Sequence, residues 1–303
     1  MNEKDGSLQQ HLTHLDIIQD AESRAVWVEL KYHTDRPCFT PELLKELKTV
    51  QRMIQQTAQT GYEQNLPGRL LFQVLTSSDR RAFSLGEDLS YIDALIEAGD
   101  REGLMRYAKT LIDIQYSAIT HYDISFTTIA LIQGEALGGG FEAALSSNVI
   151  VAEVSARFGF PELTFGMGPG PSAILMLTRK IAPAMARRII GDRRVRTAGE
   201  LYEIGVVDVL AHDGEGREAV QNYMQRHSAI APGLHYLQAA FDCAKPVSYE
   251  ELSLIAEHWV DATLQMSEKN RRLMSYFARA QNKRQTHPPA QDRRGTGMHY
   301  QPS

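Results

Sequence analysis

Cysteine is scarce in this 303-residue chain: there are two, Cys38 and Cys243. Two cysteines so far apart exclude a disulfide scaffold and fit a reducing compartment. An excess of basic charge is also missing. Lys+Arg 32 against Asp+Glu 37 leaves a formal net charge of -5, which argues against the electrostatic footprint of a nucleic-acid binder. No apolar run approaches the ~20 residues of a membrane helix. The polar N-terminus has no apolar h-region of a secretory signal. The expectation is a cytoplasmic protein with neither nucleic acid nor membrane insertion among its partners. What the chain does have, at 43% hydrophobic, is material for a sizeable core.

Patterning divides the chain into four stretches. Residues 1–20 read as a flexible lead-in, 21–212 as a β/α core, 213–283 as a helical region, and 284–303 as a polar, basic tail expected to be disordered. Ala25 to Lys31 alternates apolar and polar residues, as a half-buried strand does. Thr40-Pro41-Glu42 is a helix start with Thr as N-cap. Leu70 to Leu75, Thr127 to Gln133 and Val149 to Glu153 read as buried strands. A single long helix is expected from Tyr249 to about Gln281. Its apolar residues Leu252, Ile255, Trp259 and Leu264 form a face that must be buried on the core or on a neighbour.

The stretch from Gly134 to Pro171 carries the chemistry. Gly138, Gly139 and Gly140 lie between a buried strand and a short helix, where glycine lets backbone N–H groups approach a ligand. Such N–H groups suit an oxyanion hole, and a tight turn packed on the sheet explains the glycines equally well. A dinucleotide fingerprint is weaker. Only about eight residues separate Gly140 from Val149, fewer than the ~10–12 of a full crossover. Glu142 follows the glycines, and Glu162 lies between apolar neighbours after Pro161. Either acid alone reads as a surface residue; together with the glycine turn they suggest an acid/base pair. No G-x-S-x-G nucleophile elbow is present. His11, His14 and Asp16 sit in a polar segment and read as solvated, so no metal is expected. Arg187-Arg188 and Arg193-Arg194-Arg196 read as a solvated basic face.

Several motifs occur in a recognisable order. They are Ala82-Phe-Ser-Leu-Gly-Glu-Asp-Leu89, Gly134 to Glu142, Phe160-Pro-Glu162, Gly168-Pro-Gly170, Gly191-Asp-Arg and Gly205-Val-Val-Asp208. Over about residues 20 to 285 the sequence resembles the crotonase (enoyl-CoA hydratase/isomerase) superfamily. Within it, Arg36-Pro-Cys-Phe39, Leu95 to Arg101, Gly140 to Leu145, Val151-Ala-Glu153, Trp259-Val-Asp261 and Gln265 to Gln281 resemble the diffusible signal factor synthases.

The resemblance implies an α/β fold, a crotonase-type spiral of ββα units with a C-terminal helical trimerisation region. It implies a homotrimer or a dimer of trimers. The backbone N–H groups of Leu85 and Gly139 would form the oxyanion hole, with Glu142 and Glu162 as acid/base pair. The implied reaction is dehydration of a 3-hydroxyacyl thioester on acyl carrier protein to the cis-2-enoyl thioester, then hydrolysis to a free fatty-acid signal used in quorum sensing. The alternatives are an enoyl-CoA hydratase or isomerase acting on CoA esters, and a regulatory protein docking to a sensor or PAS-type partner. No cofactor is implied beyond the carrier of the substrate. A position at a helix start favours an ionised Glu142, and apolar neighbours raise the pKa of a buried Glu162, which favours Glu142 as base and Glu162 as acid and leaves the reverse assignment open. Phe141, Phe165, Met167, Pro171 and Trp259 are the candidate acyl-pocket residues. Pro171 departs from the usual family turn and stiffens it. Arg80 and Arg81, just before the oxyanion loop, are candidates for the pantetheine phosphate or the acidic carrier protein.

Overall fold

The computed structural model describes residues 12–32, 36–64, 69–124 and 126–283. Residues 1–11 of the expected lead-in and the tail 284–303 lie outside the described residues. The lead-in ends earlier than its polarity suggests. Leu15–Asp20 forms strand β1, antiparallel to β2 (Ala25–Leu30), because Leu15 is buried against Leu30 while the rest of the strand meets solvent at the sheet edge.

The larger sheet continues with β3 (Phe72–Ser77), β5 (Thr127–Ile132), β7 (Val149–Glu153) and β10 (Val209–Ala211), in the order β1-β2-β3-β5-β7-β10. From β2 onward its neighbours are parallel. Every residue of β5 is buried, as expected of a parallel strand covered on both faces. A second, smaller sheet is built from β4 (Ala82–Ser84), β6 (Glu135–Leu137), β8 (Arg157–Gly159) and β9 (Arg196–Thr197). Each of β3, β5 and β7 is followed at once by its short partner β4, β6 or β8, and then by helix. This is the repeated ββα unit of the expected spiral.

Helix α1 (Pro41–Glu63) is capped by Thr40, whose Oγ1 accepts from the Leu43 N–H, with Pro41 in the first turn. Asp88 caps α2 (Leu89–Ala98) by accepting from the Ser90 and Tyr91 N–H groups. Helix α3 (Arg101–Ile119) follows; α4 (Gly139–Leu145) and α7 (Ala198–Glu203) pack on the smaller sheet, and α5 (Ala173–Lys180) packs between α4 and α6 (Pro183–Gly191). In the C-terminal region α8 (Gly216–Ser228) covers the other face of the larger sheet, where Val220 and Met224 meet Trp27, Ile129 and Val151. Helix α9 (Ala231–Ala244) comes next.

The one long helix expected from Tyr249 is in fact two, α10 (Tyr249–Leu264) and α11 (Glu268–Lys283). Ser267 makes the break, since its Oγ accepts from the Asn270 N–H and starts a new helix. Leu252, Ala256, Trp259 and Val260 of α10 are buried in the chain's own core, so this face is not left for a neighbour. Arg271 and Ser275 of α11 bond Asp93 of α2, which holds α11 over the segment between β4 and α2.

Candidate active site

Three buried carboxyl groups meet at the glycine turn between β6 and α4. Gly138 takes φ +54, and a Cβ on it would lie 2.3 Å from Glu162 Oε1. A Cβ on Gly170 would lie 2.4 Å from Glu142 Oε1. A side chain at either position would push the carboxyl packed on it out of place, and the positive φ of Gly138 favours glycine there as well. Glu162 begins a single 3-10 turn, Glu162–Phe165, which its own carbonyl helps to close by accepting from Met167 N–H. The third carboxyl belongs to Glu87, in the loop between β4 and α2. Its Oε2 accepts from the Gly139 N–H at 3.3 Å. Sequence reasoning quoted Glu87 only as a loop residue. Its position directly after Gly86, inside the oxyanion loop, was the available signal.

Burial sets the protonation of all three. Glu142 is pushed up to about 8 by burial and then by the Glu87 charge, while hydrogen bonds from the Ser172 hydroxyl and N–H pull it back. Those bonds measure 2.7 and 3.1 Å to Oε2. Glu162 is raised well above the usual carboxylate range by burial, the Glu87 charge and the Glu142 charge. Among the described residues neither of its oxygens has a hydrogen-bond partner. Glu87 is raised by burial, against the lowering effect of the Gly139 N–H. The start of a short helix does not keep Glu142 ionised at ordinary carboxylate pH, because desolvation outweighs it. Ser172 still makes Glu142 the easier of the two expected acid/base residues to ionise.

Of the two expected oxyanion donors, the structure brings one to the site. Gly139 N–H faces it, whereas Leu85 N–H donates to the Pro37 carbonyl at 2.6 Å. Gly86 N–H is also engaged, donating to Ser84 Oγ at 3.2 Å. Leu85 is thus a structural anchor of the loop in this conformation.

The sequence pattern of the family described as Enoyl-CoA hydratase/isomerase matches residues 26–284. The chain belongs to this family. It is 38% identical over 115 residues to the 2,3-dehydroadipyl-CoA hydratase of Escherichia coli (strain K12), a match covering 37% of this chain and 43% of that enzyme. The chain matches about half the length, or less, of its curated relatives. Among solved structures, the enoyl-CoA hydratase from Bacillus halodurans superposes with TM-score 0.69 at 20% identity, covering 87% of this chain and 100% of that one. Pseudomonas aeruginosa DspI superposes with TM-score 0.65 at 20% identity, covering 77% and 82%. At such identities these likenesses establish the shared crotonase fold.

The other expected residues are placed differently. Phe141 packs in an aromatic cluster with Phe158 and Phe160, at centroid distances of 5.2 and 5.0 Å. Phe165 meets Phe277 of α11 at 5.2 Å, and Met167 and Pro171 are buried. Trp259 donates its indole N–H to the Gly168 carbonyl at 3.0 Å. It thereby holds the turn that presents Gly170 and Ser172 to Glu142. A small apolar cavity of about 50 Å³ lies between α1, α3 and the larger sheet, lined by Leu47, Leu111, Ile129 and Ala143 among others, and none of the five expected pocket residues lines it. Arg80 and Arg81 are exposed on the turn before β4. Arg80 pairs with Glu153 at 3.4 Å and Arg81 with Asp79 at 3.0 Å. Among the described residues no group of three or more His, Cys, Asp and Glu could hold a metal ion. No helix among them is long and apolar enough to cross a membrane.

Proposed function

We propose that the protein dehydrates a 3-hydroxyacyl thioester on acyl carrier protein to the cis-2-enoyl thioester, then hydrolyses it to release a cis-2-unsaturated fatty-acid signal. The observation that carries this reading is the pair Glu142 and Glu162, both buried and both packed on glycine segments of one site. The thioester oxygen accepts from Gly139 N–H, a donor of the kind that lowers such a barrier by ~3 kcal/mol. Ionised Glu142 removes the α-proton, and the electron pair moves onto that oxygen as an enolate. The enolate re-forms the carbonyl and expels the β-hydroxyl, which takes the Glu162 proton and leaves as water. Glu162 is then ionised. It takes a proton from the water that attacks the thioester, the pantetheine thiol leaves with that proton, and the α-proton held by Glu142 then passes to Glu162 and restores the starting pair.

The carrier, the cis geometry and the hydrolysis rest on the resemblance to the signal synthases. A second reading, reversible hydration of a CoA ester, is favoured by the CoA-ester hydratases among the relatives. One experiment separates them. The protein is incubated with 3-hydroxyacyl carrier protein and, separately, with the matching CoA ester, and the products are identified by mass spectrometry. Free cis-2-enoic acid from the carrier-bound substrate supports the first reading. Reversible trans hydration of the CoA ester with no free acid replaces it with the second. A homotrimer, or a dimer of trimers, completes the proposal, supported by the exposed apolar side chains Leu237 and Phe241 on α9.

A further inference from the structure

Glu87 is only 4% exposed, yet it sits on a loop whose main chain is held from several sides. Leu85 N–H bonds the Pro37 carbonyl, Phe39 N–H bonds the Gly86 carbonyl at 2.8 Å, and Gln281 Nε2 of α11 donates to the Leu85 and Glu87 carbonyls at 3.1 Å each. These contacts fix the backbone and leave the Glu87 side chain as the part that can move. That side chain lies flat on the glycine turn: a Cβ on Gly139 would be 2.7 Å from Oε1, and one on Gly138 would be 3.4 Å from Oε2. Facing it are Glu142 from α4, Glu162 from the 3-10 turn, Tyr107 from α3, Cys38 from the segment before α1, and its neighbour Asp88. The nearby cation Arg36 is paired with Asp88 at 3.3 Å. A neutral carboxyl suits these surroundings, and its C=O offers Gly139 the same kind of acceptor as a thioester carbonyl.

We propose that the Glu87 carboxyl occupies the thioester-oxygen position of the substrate-free site and swings off the Gly139 amide when substrate binds. This rests on the reading of Gly139 as the oxyanion donor. Glu87 is then a built-in competitor of the substrate, and it sets affinity without taking part in proton transfer.

The test uses the full chain with Glu87→Ala and Glu87→Gln, and acetoacetyl-CoA as a thioester probe whose enolate absorbs in the near ultraviolet. Glu87→Ala should bind the probe roughly three- to ten-fold more tightly, the effect of one lost hydrogen bond. In turnover it should lower KM by a similar factor with kcat nearly unchanged. Glu87→Gln keeps an acceptor of the same shape and should fall between. Weaker probe binding by both variants, or a fall in kcat at constant KM, would overturn the proposal and make Glu87 a donor or a support. A second measurement needs no substrate. The Gly139 amide resonance in the ligand-free protein should move as Glu87 titrates and lose that movement in Glu87→Ala; an identical titration in both proteins overturns the contact. If acetoacetyl-CoA binds neither wild type nor variants while the amide titration behaves as expected, the thioester reading of the site is what fails.

Discussion

Ser172 gives Glu142 two hydrogen bonds that favour its ionised form. Removing them has a direction that can be worked out. Ser172→Ala loses the hydroxyl bond, so the Glu142 pKa moves up from about 8. With Glu142 as the base, the acid limb of kcat/KM then shifts to higher pH, and activity falls more at pH 7 than at pH 9. A pH–rate profile whose acid limb stays in place would remove Glu142 from the base role. Glu142→Ala and Glu162→Ala should each lower turnover by about 10²–10⁴, the usual worth of a positioned acid or base. The double variant should be little worse, since groups that act together are not additive. Steady-state kinetics on folded variants check both points. These two acids stand out in the sequence because Glu142 closes the glycine motif Gly134 to Glu142 and Glu162 lies between apolar neighbours in Phe160-Pro-Glu162. Glu87 does not. A glutamate between Gly86 and Asp88 looks like any solvated loop acid, and only the packing of the loop under α11 turns its side chain inward.

Elements were legible in proportion to their length. The buried strands of the larger sheet announce themselves as apolar runs, and Thr40-Pro41 marks its helix. The strands β4 and β6 have three residues each, too few for any alternation to show. They matter, because β4 separates Arg80 and Arg81 from the oxyanion loop. At about 3.3 Å per residue, the arginine pair stands roughly 10 Å from that loop, at the opposite end of the strand. A carrier-docking role is still open to test, with a sharper expectation. Arg80→Ala/Arg81→Ala should raise KM for carrier-bound substrate several-fold with kcat unchanged, an effect that shrinks at high salt. An equal loss on a simple pantetheine thioester would show that the pair only supports the turn. Trp259 acts at the same scale, since α10 reaches the turn at Gly168 through its indole N–H. Trp259→Phe keeps the ring and loses that bond, which should lower stability by about 0.5–1.5 kcal/mol in urea denaturation.

Across the whole molecule, two kinds of group sit where solvent physics disfavours them. One is apolar and exposed. Ile230, just before α9, and Leu237 and Phe241 on it are exposed, at 54%, 51% and 58%. Apolar side chains exposed in this way call for a partner. Light scattering should therefore give a mass three or six times 34.0 kDa, and Leu237→Asp/Phe241→Asp should lower it. The other kind is polar and buried: Glu87, Glu142 and Glu162. Their combined effect on stability has a definite sign. Glu142 titrates near 8 in the folded chain against an ordinary value of 4.5, because of burial and the Glu87 charge. Between those values the folded protein holds a proton that the unfolded chain has released. Stability must fall wherever the folded state binds more protons, by up to about 1.4 kcal/mol per pH unit for each such group. Glu162 and Glu87 are raised as well and add to the fall. Asp242 runs the other way: although burial raises it, His121 and Arg179 beside it hold its carboxyl below the usual range, so its contribution is lost only at acid pH. The urea midpoint, measured at one protein concentration because assembly adds its own stability, should therefore decline from pH 5 to pH 8. Replacing all three glutamates with Gln should flatten that decline and raise the midpoint at pH 8. A wild-type midpoint that is flat or rising over this range would mean that the three carboxyls are not held protonated, and the acid role of Glu162 would go with them.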